Sequence, residues 1–319
     1  MPGIGVIVNP HARHNRRAQA RARRFAALLG ADGLAEAPGS LAELARAVRT
    51  CRDRGVEIFA VCGGDGSYFR ALSALVRAYG SRPLPRFLPL RAGAMNNVAR
   101  SVGWSHRDPA DVLTAVVCQY RAGRPFAVTP RELIVVNRTQ VGFMVGAGAV
   151  VNFLHAYYAR TSRGPGAAGR LLVESLVSGL VGGPLAGEML RPVAATVACD
   201  GRRLPARAVN LIYTSAVADI GLGFRATYRA GQIPGRLQLL AGRITAAELL
   251  WRLPRLYRGE PLALRALHDV DARHIRVEFR HPTAYMIDGD ILEAVRVLDL
   301  RVGRRVDIIQ EETGCAPSA

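Results

Sequence analysis

EIFAVCGGDGSYFRALSALVRAYG, residues 57–80, runs three patterns end to end. Ile58 to Val61 is a continuous apolar run, the signature of a strand covered on both faces. Gly63-Gly64-Asp65-Gly66 interrupts it, and Phe69, Leu72, Leu75 and Val76 then return at helical spacing. A strand, a glycine turn and a helix in that order predict a parallel sheet whose loops gather at the carboxyl ends of its strands. Glycines at such a turn let backbone N–H groups come close to a phosphate, and the positive end of the following helix points to the same place. Ser67 is placed to cap that helix. A bare carboxylate repels phosphates, so Asp65 makes chemical sense there mainly beside a metal-bound triphosphate or a hydroxyl.

The same order recurs on either side. IGVIVNP (4–10) precedes RRAQARARRFAALLG (16–30), and RFLPLRAGAMNN (86–97) precedes VARSVGW. The predicted architecture is a doubly wound parallel sheet. Beyond about residue 122 the texture changes to alternating Val- and Thr-rich runs: ELIVVN (132–137), AATVACDGRRL (194–204), AVNLIYTS (208–215), HIRVEF (274–279), TAYMIDGDI (283–291) and LDLRVGRRVDII (298–309). These read as antiparallel strands joined by DG and GR turns, interrupted by a helix-rich segment near 152–180. RAGRP (121–125) is the boundary candidate. The fold class expected is α/β, with an N-terminal doubly wound domain and a C-terminal antiparallel, β-rich, sandwich-like domain.

Composition narrows the chemistry. The chain has 319 residues, enough for two ordinary domains, and a formal net charge of +18 that attracts polyanions or anionic membranes. All 43 basic residues are arginine, which excludes a P-loop lysine, a Schiff-base lysine and a pyridoxal lysine together. Cys51, Cys62, Cys118, Cys199 and Cys315 form no CxxC pair, as suits reduced thiols in a cytosol. The N-terminus is strand-like rather than a signal peptide, and Glu174, Glu188 and a GGP break keep 171–190 from reading as a membrane span.

The second loop, LPLRAGAMNNVARSVG (88–103), strengthens the phosphate reading. It offers Gly93 for close approach and the adjacent amides of Asn96 and Asn97, which can donate to phosphate oxygens. Adjacent asparagines are also ordinary turn residues. His11 and His14 lack further ligands in order, so no metal site is assigned to them.

GGDGS followed some thirty residues later by GAMNNVAR resembles the catalytic domain shared by diacylglycerol, sphingosine and ceramide kinases and bacterial lipid kinases, with NAD kinases and phosphofructokinases as distant relatives. The resemblance implies a nucleotide-binding domain at 1–122 and a β-rich lipid-binding domain at 123–319, the last strand being a candidate to return to the first domain. It implies contacts to ATP from Asn9, Pro10, Arg13, Gly63, Gly64, Asp65, Gly66, Ser67, Tyr68, Gly93, Ala94, Asn96 and Asn97. In the late motif Asp288-Gly289-Asp290 it implies a proton acceptor at Asp290, with Asp288 beside it. Asp65 and this acidic pair would then face one another across an interdomain cleft. The same Asp-Gly is also a favoured hairpin pair.

Several positions depart from the family's pattern. His11-Ala12-Arg13 replaces serine and glycine after the NP motif, Ala94 replaces a threonine, Asn97 an aspartate, and Asp290 a glutamate. Pro234, in AGQIPGRLQLL (230–240), occupies the position of an aspartate that holds a structural magnesium in many bacterial members, so that metal site is expected to be absent. The leading expectation is an ATP- and Mg2+-dependent lipid kinase, cytoplasmic and peripheral to an anionic membrane, acting on diacylglycerol or a related lipid. A soluble-substrate kinase of the NAD kinase type and a catalytically inactive nucleotide- or lipid-binding relative are the alternatives. Charge alone suggests nucleic acid, and no recognition motif accompanies it. RHNRRAQARARR (13–24) is a basic helical face suited to ATP phosphates or an anionic bilayer, and Trp104 and Trp251 read as core, rim or interface residues.

Overall fold

The computed structural model describes residues 3–12, 15, 17–104, 107–162, 164–205 and 208–311. It divides into two compact units, Met1–Arg131 with Arg305–Ala319, and Glu132–Arg304.

The first unit contains β1 (Ile4–Val8), α1 (Ala18–Leu29), β2 (Gly33–Glu36), α2 (Leu41–Asp53), β3 (Ile58–Gly63), α3 (Asp65–Tyr79), β4 (Arg86–Arg91), α4 (Asn97–Ser101) and α5 (Pro109–Arg121). The strands lie parallel in the order β2-β1-β3-β4, and the end of the chain's final strand adds beside β4, Ile308 level with Phe87. β1 and β3 are buried along their whole length, which is why both read as unbroken apolar runs. α1 packs with α5 and α2 with α3, the pairing expected when right-handed crossovers cover both faces of such a sheet. The doubly wound expectation is met, with β2 as a strand the sequence reading did not pick out.

This order has one consequence for function. The connection from β1 leaves toward β2, whereas the chain re-enters at β3 on the other side of β1. The crevice outside the carboxyl ends of β1 and β3 is therefore the switch point where open α/β sheets bind ligands. Asn9 and Gly64 are the residues that leave those two ends.

The second unit comprises most of β5 (Val128–Val136), then β6 (Gln140–Gly142), β7 (Met144–Gly148), α6 (Ala149–Tyr158), α7 (Pro165–Leu180), α8 (Pro184–Met189), β8 (Val193–Cys199), β9 (Arg202–Arg203), β10 (Ala208–Val209), β11 (Leu211–Ser215), β12 (Leu237–Gly242), α9 (Ala246–Arg258), β13 (Leu267–Ala272), β14 (His274–Ile287) and most of β15 (Asp290–Ile309). Its strands pair antiparallel along β13-β12-β11-β7-β14-β15. β14 pairs β8 through Ile275–Phe279 and β7 through Tyr285–Ile287, with register shifts between. Both DG turns are two-residue hairpins with positive φ at each position, Asp200 and Gly201 at 49° and 82°, Asp288 and Gly289 at 47° and 87°. The antiparallel, β-rich expectation is met. No helix among the described residues is long and apolar enough to cross a membrane.

Candidate phosphate-binding loops and acidic hairpin

At the end of β1, the Asn9 backbone N–H donates to Cys62 O at 3.0 Å, and its side-chain amide donates to Ser67 Oγ at 2.7 Å. Asn15 supports this corner by donating to both Asn9 O and Cys62 O at 2.9 Å, and Arg21 donates to Asn15 Oδ1 at 2.6 Å. Pro10 follows, half-buried, and Arg13 lies outside the described residues. α3 starts at Asp65 with Gly64 as its N-cap, so Ser67, read from the sequence as the cap, sits inside the first turn and reaches back to accept from Gly64 N–H at 3.2 Å.

The glycines bring the two loops together. A Cβ on Gly63 would lie 2.3 Å from Ser67 Oγ, and one on Gly93 would lie 2.4 Å from Gly64 Cα. Backbone therefore stacks on backbone where any side chain would part the loops. Asn96 closes the second loop in a left-handed conformation, φ 54°, accepting from Gly93 N–H and donating to Gly93 O, both at 2.9 Å.

Asp65 is the staple between them. Its carboxylate, 8% exposed, accepts from Asn97 N–H at 2.9 Å and Val98 N–H at 3.1 Å, the first amides of α4. Charge-assisted bonds of this kind are roughly twice as strong as neutral ones. Tyr68 is fully buried beneath, its hydroxyl within reach of Gly63 O at 3.2 Å and Leu90 O at 3.3 Å, and burial pushes its pKa well above the ordinary value. Tyr68 was expected to touch nucleotide, yet its side chain forms the floor of the loops, because a phenol of that size fills the space between β3 and β4.

Two features of this frame lack protein partners among the described residues. Among the described residues, the backbone N–H groups of Gly66, Ala94 and Met95 meet no acceptor. The Nε of Arg91, which ends β4 level with Gly63, is buried without a hydrogen-bond partner, and the guanidinium has no hydrogen bond or ion pair among the described residues. Sequence reasoning missed Arg91. Its only signal was a cation two residues before the loop glycine, lost among 43 arginines.

In the second unit, Asp288 is 1% exposed and occupied with backbone. Its carboxylate accepts from Phe143 N–H at 3.0 Å and Met144 N–H at 2.7 Å, and its own N–H donates to Met144 O at 3.0 Å. Gly142 makes room for it, since a Cβ there would lie 3.0 Å from Asp288 Oδ2. Tyr158 hydroxyl donates to Gly289 O at 2.6 Å across the hairpin tip. Asp290 opens β15 opposite Ile287 and is half-buried. In the segment around Pro234, Arg229 takes the central cationic position, its guanidinium donating to Asp269 at 2.7 Å and Asp271 at 2.9 Å, while Glu132 accepts from Gly235 N–H.

Residues 3–123 match the family model of the diacylglycerol kinase catalytic domain, so the resemblance read from the two loops holds for this domain. A solved structure of a diacylglycerol kinase from Bacillus anthracis str. Sterne superposes with a TM-score of 0.62 at 15% identity over 97% of each chain. Two structures of a provisionally assigned diacylglycerol kinase from the same strain give 0.64 and 0.66 at 14% and 13% identity, again over 97% of each chain. At such identities the likeness is one of fold. No curated protein matches the sequence.

Proposed function

We propose that this protein is an ATP-dependent lipid kinase which transfers the terminal phosphate of ATP to a hydroxyl of diacylglycerol or a related lipid at a membrane surface. The observation that carries the proposal is the pair of glycine loops at the sheet's switch point, stapled by Asp65 and leaving donors without acceptors among the described residues.

The first unit's residues suit a polyphosphate. Gly66, Ala94 and Met95 offer backbone N–H groups, α3 directs its positive end toward the same loops, and Arg91 supplies a cation whose buried Nε otherwise costs free energy without return. Asp65 contributes by fixing the loops, since its oxygens already accept two amides. Magnesium would be supplied with ATP, since such ions bind through one or two carboxylates together with substrate phosphates. When bound, that ion neutralises charge on the transferring group. Ala94, lacking a hydroxyl, offers only its backbone N–H.

In the second unit, Asp288 is committed to the Phe143 and Met144 amides, which leaves Asp290 to accept the proton of the lipid hydroxyl. Phosphoryl transfer depends chiefly on positioning and charge stabilisation, with proton removal a smaller contribution. Incubation with labelled ATP and mixed micelles of diacylglycerol should place label in the organic extract. Asp290→Ala should reduce that incorporation by about 10²–10⁴-fold with its folding transition unchanged. Label found instead in a water-soluble dinucleotide when NAD is offered, or no turnover at all, overturns the reading.

A further inference from the structure

Two helices of the second unit carry apolar side chains on their solvent side. α7 buries Ala168, Leu171, Ser175 and Leu176, and turns Val173, Val177, Leu180 and Val181 outward at 59%, 54%, 55% and 77% exposure. Their spacing places them on one helical stripe. α9 lies against the same helix, since a Cβ on Gly179 would fall 2.1 Å from Ala246 Cβ. Its positions 247, 251, 254 and 258 share one outward face, where Trp251 is 80% exposed, and Tyr257 beside it is 64% exposed. Six large apolar side chains held in water on two touching helices exceed the scattered exposure normal for a surface.

The charges around them are mainly cationic, and Glu174, Glu248 and Glu260 are already paired or capping. Between 243 and 260 the chain has four arginines and two glutamates; Glu248 is engaged in the cap of α9, accepting from Thr245 N–H and hydroxyl at 2.9 Å, and Glu260 pairs with Arg258 at 3.6 Å. On α7, Glu174 is held by Arg160 and Arg170, the hydrogen bond from Arg160 being the main cause of its lowered pKa. An apolar stripe with an exposed tryptophan and a cationic border suits the headgroup region of an anionic bilayer. It opposes a second copy of itself, because the same arginines would meet.

We propose that the α7–α9 face is the surface by which the protein lies on an anionic bilayer, Trp251 and the α7 valines entering the headgroup–acyl boundary while Arg252 meets lipid phosphates. The proposal extends the lipid-phosphorylation reading, and its choice of occupant rests partly on it.

The sequence contains two tryptophans, and Trp104 is buried with its indole N–H donating to Ile309 O at 2.8 Å, so it provides a constant background to Trp251. On mixing the full chain with vesicles of phosphatidylcholine and phosphatidylglycerol, without ATP, tryptophan emission should shift to the blue and be quenched by brominated acyl chains. Trp251→Phe should abolish both changes. Val177→Asp with Val181→Asp should weaken co-sedimentation with these vesicles about tenfold at unchanged Tm, and added salt should weaken the wild type as well. Emission indifferent to vesicles, binding undiminished in the double variant, or a dimer that shields Trp251 overturns the proposal. Transfer to a short-chain diacylglycerol dispersed without vesicles tests the kinase reading separately, and the double variant should equal the wild type there.

Discussion

The glycine loops of the first unit and the acidic hairpin of the second solve one problem in the same way. Each spends a buried carboxylate on two consecutive backbone amides of a distant segment, Asp65 on Asn97 and Val98, Asp288 on Phe143 and Met144. The difference lies in what surrounds the clamp. Around Asp65 stand backbone donors and Arg91 without acceptors among the described residues, whereas Asp288 is enclosed by Gly142 and by Tyr158 at the hairpin tip. A carboxylate in a phosphate-handling motif can thus be structural in both places, and the chemistry moves to its neighbours.

Substitution separates the two clamps. Asp288→Ala strands two buried N–H groups with no route to water, and should cost about 3–4 kcal/mol of stability, read as a fall in the chemical denaturation midpoint. Asp65→Ala also strands two amides, but in loops whose Gly64, Gly93 and Ala94 are half-buried, so water reaches them more readily. Its cost should be smaller, about 2 kcal/mol, accompanied by weaker ATP binding as the loops part. Equal losses at the two sites would break the distinction between a closed and an open clamp. Arg91→Gln sharpens it further. Removing an unpartnered cation should leave Tm unchanged or slightly raised, while KM for ATP rises about tenfold from the lost phosphate contact. A drop in Tm without a change in KM would assign Arg91 to the fold instead.

The legible parts of the molecule were those whose pattern is carried by side chains in sequence order. IGVIV and IFAVCG are apolar throughout because both faces of their strands are covered, and the two DG pairs name their own turns. β2 was illegible: four half-buried residues, GLAE, at the sheet's edge have neither alternation nor an apolar run. α9 was obscured by its inverted surface, with Trp251 and Pro254 where polar residues belong. At the site, Asn9, the glycines and the asparagine pair stand out as residue types, yet what Asp65 does could not be seen. Its partners are backbone amides 32 and 33 residues away, and an amide carries no side-chain signal. Arg91 was hidden by the opposite problem, a residue type too common in this chain to attract notice.

A third carboxylate tests the comparison from outside it, with the smallest effect. Asp299 on β15 is held by side chains rather than by backbone amides, accepting from His274 Nε2 at 2.8 Å and Arg301 Nε at 2.9 Å. Burial alone would raise its pKa, but the hydrogen bonds from Arg301 and His274 outweigh burial and hold it below the ordinary carboxylate value. A carboxylate with a depressed folded-state pKa stabilises the protein above its unfolded pKa, and that contribution disappears as pH falls through the folded value. The Tm difference between wild type and Asp299→Asn should therefore be constant near neutrality and close only in acid, below the ordinary carboxylate range. Because its partners are half-exposed guanidinium and imidazole groups, the gap at neutral pH should be about 1 kcal/mol and should narrow in high salt. The amide-held Asp65 and Asp288 should lose little to salt, since their donors are buried backbone. A salt response as large at Asp288 as at Asp299 would mean that the clamp depends on long-range charge rather than on the two N–H groups it holds.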